Sequence, residues 1–152
     1  MAFHLFDTSA LAKHYHPEVG TDRVDELLAM PGCQQATSRL GAVEFHSVFA
    51  KKVRTGELTS SGFAHLSKQF NLDIYRKTIR VIRLLVGHYR LAEQLIRQSA
   101  TARNLRTLDA LQLAVAIQLN VSNDQFTFVT ADLALASIAA AEGLTVINPE
   151  TP

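Results

Sequence analysis

A single α/β domain with a mostly parallel central sheet of about four to five strands flanked by helices is predicted by three observations. Short apolar, strand-like stretches alternate with longer stretches of helical period along the whole chain. The length, 152 residues, matches the ~150 expected of one domain and suffices to bury a sizeable core. The sequence shows no repeat, low-complexity tract or linker, so residues 1–152 read as one unit.

The elements follow in order. Residues 3–6 form a short buried strand, and Asp7-Thr8-Ser9 opens a helix through Tyr15. Residues 22–30 are amphipathic, and Pro31-Gly32 ends them. A weak strand at 35–37 leads to Ser38, which caps a long helix over 39–54 that Gly56 ends. A further helix covers 60–71. Apolar and basic residues alternate over 79–85, which predicts a strand there. Residues 88–102 are helical, with Leu91, Leu95 and Ile96 on one face. Residues 107–119 are almost wholly apolar, which predicts a helix buried all round. A strand at 126–129, a helix at 131–141 with Gly143 as its C-cap, and a strand at 144–147 complete the chain.

Composition excludes several classes. Hydrophobic residues at 47% and charged residues at 19% exclude a disordered chain. The longest nearly uncharged run, 107–123, falls short of the ~20 apolar residues of a membrane span. The N-terminus lacks a basic segment and meets Asp7 too early for a signal peptide. The single cysteine, Cys33, forms no internal disulfide, which makes a reducing cytoplasm the economical location.

The net charge of +1 hides an asymmetry. Residues 1–50 hold three basic and six acidic side chains, residues 51–106 twelve and three, and residues 107–152 none and five. An acidic centre rimmed by basic surface suits a metal-dependent enzyme acting on a polyanion, while solvated helix faces explain most such clusters equally simply.

Four acids stand out. Asp7 directly follows the first strand and Asp132 follows the strand ending at Val129; each is placed to cap the next helix. Both also lie at the carboxyl edge, where open parallel sheets bind ligands. Asp109 sits just inside the apolar helix, with Thr107 the better N-cap. The helix dipole gives such a carboxylate ~0.3–1 kcal/mol, and unpaired burial costs several times more. It therefore pairs with a group such as Arg106 or holds a cation. Glu44 shares its helical face with Leu40 and Val48, and an acid on an apolar stripe is more often functional or paired than idle. Clustered carboxylates repel, and a hard divalent cation is the usual remedy: four acids suit one or two such ions, directly or through water. That assembly activates a water and stabilises an in-line displacement at phosphorus, with Ser9 and Thr130 as candidate supporting hydroxyls. Lys51, Lys52 and Arg54, ending the helix that carries Glu44, are the first candidates for phosphate contacts.

Four stretches carry a resemblance: Leu5-Phe6-Asp7-Thr8-Ser9-Ala10-Leu11; Val43-Glu44 with Gly56-Glu57-Leu58; Leu105-Arg106-Thr107-Leu108-Asp109-Ala110-Leu111-Gln112-Leu113-Ala114; and Val129-Thr130-Ala131-Asp132 with Glu142-Gly143-Leu144. With these the chain resembles the PIN-domain family, in particular the VapC-type toxins of bacterial toxin–antitoxin pairs, over residues 3–147. The resemblance implies a Mg²⁺- or Mn²⁺-dependent endoribonuclease with Asp7, Glu44, Asp109 and Asp132 at its site. It also implies a homodimer and an inhibitory antitoxin encoded beside it. Leu66, Phe70, Leu72, Ile74 and Tyr75 suit either a shared dimer face or ordinary core. An antitoxin that places an Arg or Lys among the carboxylates would displace or mimic the metal.

Other readings separate on residues. An aspartyl phosphatase of the haloacid-dehalogenase type needs a second Asp where Ser9 stands, and a dinucleotide site needs a Gly-rich turn after the first strand. His14 and His16 lack a third ligand nearby. A catalytically silent PIN-like module that binds RNA or a partner, and a housekeeping nuclease without an antitoxin, remain as alternatives; the first has no reason to hold four carboxylates together.

Overall fold

The computed structural model describes residues 1–151. Five strands, β1 (Ala2–Phe6), β2 (Cys33–Ser38), β3 (Arg80–Ile82), β4 (Phe126–Val129) and β5 (Val146–Ile147), form one sheet in the order β3-β2-β1-β4-β5. Every pairing is parallel, so the sheet is wholly rather than mostly parallel. Seven helices connect the strands: α1 (Thr8–Tyr15), α2 (Thr21–Leu28), α3 (Arg39–Arg54), α4 (Ser60–Tyr75), α5 (Val86–Ser99), α6 (Thr107–Ser122) and α7 (Leu133–Ala141).

Helices cover both faces of the sheet, and the pleat divides the strand side chains between them. Phe3 and Leu5 of β1 and Phe126 and Phe128 of β4 pack with α5, α6 and α7. Phe6 and Val129 face the opposite core with α1 to α4. That second core centres on Phe45 and Phe70, stacked with ring centroids 4.0 Å apart, and Tyr15 meets both edge-on. The Tyr15 hydroxyl donates to Asp73 Oδ2 at 2.7 Å and ties α1 to α4. Leu66 and Phe70 thus lie in the chain's own core and Ile74 packs against it, so of the five residues that suited a dimer face or core only Leu72 and Tyr75 are exposed.

Several boundaries differ from expectation for local reasons. β3 is shorter and α5 starts at Val86 because the His88 ring reaches back and accepts the Leu85 N–H at 2.8 Å. α4 continues to Tyr75, and Lys77 then turns the chain with φ 61°. Thr107 is not the cap of α6: Arg106 is, without a capping side chain, which makes Asp109 the third residue of the helix. α6 is buried all round only from Gln112 to Ala116, while Leu108 and Val121 are exposed. α7 starts at Leu133 because Asp132 caps it. Among the described residues no helix is long and apolar enough to cross a membrane.

Candidate active site

β1 and β4, central neighbours in the sheet, deliver Asp7 and Thr130 side by side at its carboxyl edge. Asp7 caps α1 and is only 7% exposed. Its Oδ2 accepts from the Ser9 hydroxyl at 2.7 Å, the Ser9 amide at 3.4 Å and the Thr130 hydroxyl at 3.2 Å. The same two hydroxyls hold the next loop, since Ser9 Oγ accepts the Ala131 N–H and Thr130 Oγ1 the Asp132 N–H. Burial nevertheless pushes the Asp7 carboxyl above its ordinary value, against the opposing pull of these donors.

Gln112 lies between Asp7 and Glu44. This amide is 2% exposed; its Nε2 donates to Asp7 Oδ1 at 3.2 Å and to Glu44 Oε2 at 3.4 Å, and its Oε1 accepts from the Ser38 hydroxyl. Gly41 permits this approach of α3 to α6, because a Cβ there would meet Thr37 Oγ1 at 2.6 Å and Gln112 Nε2 at 3.2 Å. The Thr8 hydroxyl stands 3.0 Å from Glu44 Oε2. Glu44 is half-buried on the shoulder of α3, whose core face is Ala42, Phe45 and Phe49; Leu40 and Val48 are half-buried with it. Desolvation raises its pKa, and the nearby Asp7 charge adds to the rise.

Asp109 and Asp132 form a second pair around a cation from the chain itself. Arg106 Nε donates to Asp109 Oδ2 at 2.9 Å, and Arg106 Nη2 lies 3.9 Å from Asp132 Oδ2. Asp132 Oδ1 accepts the Leu135 N–H as cap of α7. The four acids therefore stand as two bridged pairs at one sheet edge rather than as one closed cluster, and among the described residues no three His, Cys, Asp or Glu converge as ligands for an ion. Like charges separate, and each pair draws a nitrogen donor between its members. The donors available are carboxylate and hydroxyl oxygens without thiol or imidazole, which is the set that hard cations such as Mg²⁺ or Mn²⁺ prefer. Arg106 shows that the Asp109–Asp132 pair accepts positive charge.

The remaining expected residues fall outside this centre. Lys51 and Arg54 are exposed on α3, and Lys52 pairs with Glu57 at 3.2 Å. Lys52 also lines a cleft of about 400 Å³ beside Ser9 and Asp132. Lys13, buried there, binds Glu18 at 3.1 Å and Glu150 at 2.6 Å, so its charge is consumed within the fold. His14 pairs with Asp25, and His16 packs on Phe49. Sequence reasoning missed Gln112 and Thr8. The signal for Gln112 was present: an amide in the buried, mostly apolar stretch of α6, one turn after Asp109, requires buried partners.

The structure is similar to VapBC-1 from nontypeable Haemophilus influenzae, at 12% identity and a TM-score of 0.67 over 98% of this chain and 99% of that one. It is also similar to FitAcB from Neisseria gonorrhoeae (16%, TM-score 0.70, 96% and 97%) and to Mycobacterium tuberculosis VapC20, a Sarcin-Ricin loop cleaving toxin (17%, TM-score 0.61, 97% and 98%). At these identities the likeness is one of fold. No curated protein sequence matches the chain. The PIN domain model matches residues 5–141, a span that contains all four acids and Gln112, and the chain therefore belongs to the PIN-domain family.

Proposed function

We propose that this protein is a metal-dependent endoribonuclease and the toxin of a toxin–antitoxin pair. The observation that carries the reading is the placement of four carboxylates, as two bridged pairs from the β1–α1 junction, α3, α6 and the β4–α7 loop, along one edge of a PIN domain. The toxin–antitoxin proteins among the similar structures support the second half of it. Asp7 and Asp109 are the principal ligands for one or two Mg²⁺ or Mn²⁺ ions, and Glu44 and Asp132 complete the set directly or through water. When bound, a divalent cation supplies the charge neutralisation and Lewis acidity that hydrolysis at phosphorus demands.

The chain's own residues prepare that centre. Ser9, Thr130 and Gln112 fix the Asp7 carboxylate so that little reorganisation accompanies the reaction. Thr8 and Gln112 do the same for Glu44 Oε2. Arg106 holds Asp109 and Asp132 in place and presents a guanidinium to an incoming phosphate. Lys51, Lys52 and Arg54 draw the RNA backbone toward the edge without reading its sequence. The same carboxylates suit an antitoxin that inserts an Arg or Lys among them. We place the protein in the cytoplasm as a homodimer, with Leu72 and Tyr75 as exposed apolar material for the contact.

The deciding experiment is cleavage of a 5′-labelled RNA by the purified protein in Mg²⁺ or Mn²⁺, in excess EDTA, and by Asp7→Asn. Cleavage falls by orders of magnitude in EDTA and in the variant, while circular dichroism shows Asp7→Asn still folded. Undiminished cutting in either case overturns the reading.

A further inference from the structure

The α5–α6 loop, residues 100–106, is folded back on its helix: the Ala102 and Arg103 amides both donate to the Ser99 carbonyl, at 3.1 and 2.9 Å. Leu105 is buried in the core and anchors the loop. Between this loop and α7 lies a cleft of about 450 Å³ that ends at Asp109 and Asp132. Its volume is within the ~300–1,000 Å³ of ligand sites. Ala134 and Ile138 of α7 supply apolar lining, while Arg103, Asn104, Arg106 and Ser137 supply donors and one amide acceptor. Arg106 is already engaged by the acids. Arg103 has no carboxylate within ion-pair distance among the described residues, although it carries a full charge beside the most acidic part of the chain.

We propose that this cleft is a nucleotide subsite that seats the RNA residue adjoining the scissile phosphate. The base lies on Ala134, above the buried Ile138, Asn104 hydrogen-bonds its edge, Ser137 meets the ribose hydroxyl, and Arg103 binds the flanking phosphate. Single-stranded RNA is read in part in this manner, by side-chain hydrogen bonds to the exposed edges of unpaired bases. The charge pattern favours RNA over a peptide in the cleft itself: an acidic peptide would be repelled by Asp109 and Asp132, and a basic one would meet the charge of Arg103, unpaired among the described residues. A phosphodiester strand places an anion at Arg103 and presents its neighbouring phosphate to the carboxylates, where the cation of the proposed nuclease would receive it. The subsite therefore rests on the nuclease reading, and it assigns sequence preference to Asn104 rather than to the lysines of α3.

The test uses Arg103→Gln and Asn104→Ala, both exposed loop positions outside the acidic centre, in the full chain with Mg²⁺. A random-sequence RNA pool is digested and its cut sites sequenced, and kcat and KM are measured on one cleaved oligomer at several salt concentrations. Arg103→Gln raises KM severalfold with kcat nearly unchanged and lowers the salt slope by about one. Asn104→Ala relaxes base preference at one position beside the cut while cleavage continues. If the wild type cuts but both variants keep its KM, salt slope and base preference, the subsite is rejected and the nuclease reading stands. A wild type that cuts no RNA rejects both.

Discussion

Replacing Gln112 by Leu removes the donor held between two carboxylates and keeps a side chain of similar volume. The amide makes two hydrogen bonds to acids, at 3.2 Å to Asp7 Oδ1 and 3.4 Å to Glu44 Oε2. Bonds to charged groups contribute ~1.5–3 kcal/mol each. Both are long, and Glu44 is half-buried, so water recovers part of its bond. Counting the Asp7 bond at the low end and a fraction of the Glu44 bond gives about 2 kcal/mol. For a domain of this size that corresponds to a fall in Tm of ~4–8 °C. Scanning calorimetry at pH 7 in EDTA reads it directly. Gln112→Glu sharpens the test, because it sets a third carboxylate against Asp7: the fall is larger, and added Mg²⁺ restores more of it than in the wild type. A fall under about 1 °C for Gln112→Leu would refute the claim that this amide holds the acids together.

Burial raises the pKa of both Asp7 and Glu44 above the unfolded values. A raised folded pKa contributes stability that is fully present below the unfolded value, about pH 4, and is lost as pH rises through the folded one. In EDTA the Tm of the wild type relative to Asp7→Asn therefore declines from pH 4 toward neutrality, and saturating Mg²⁺ flattens that decline; a difference independent of pH contradicts it. Reversing the charges of Lys51, Lys52 and Arg54 together weakens RNA binding and reduces its salt slope by up to about three, measured by fluorescence anisotropy. An unchanged slope shows these side chains to be merely solvated.

How much was legible in the sequence varies with how local each cause is. The bounds of α1 and α3 follow from caps one residue away, Asp7 and Ser38, whose side chains accept from Ser9 and Gly41 as their types predict. The start of α5 depends on a histidine acting as a cap acceptor, which residue type does not suggest. The pairing of Asp109 with Arg106, an i,i+3 neighbour, is one of the two readings the sequence leaves open, whereas the approach of Arg106 to Asp132 needs the α7 loop folded against α6. The partners of Gln112 stayed hidden for the same reason, although the residue itself stood out. Its three partners, Ser38, Asp7 and Glu44, lie 74, 105 and 68 residues away along the chain, and no local pattern encodes their meeting.

Cap and site are often weighed against each other as explanations of an acid after a strand. In a parallel sheet they coincide wherever the carboxyl end of a strand both opens the ligand edge and begins a helix, as after β1 and β4 here. Asp7 and Asp132 divide the two duties between their oxygens. Asp7 Oδ2 and Asp132 Oδ1 accept the cap N–H groups of Ser9 and Leu135, while Asp7 Oδ1 and Asp132 Oδ2 face Gln112 and Arg106. A cap requires only an acceptor oxygen, and Asn or Ser provides one as well as Asp does. Neither carries a charge. At Asp7 the charge is opposed by burial, which raises its pKa in spite of the hydroxyls and amide bonded to it. Capping therefore accounts for an oxygen at this position but not for an ionisable carboxyl held against burial, which is the feature the proposed cation site would use.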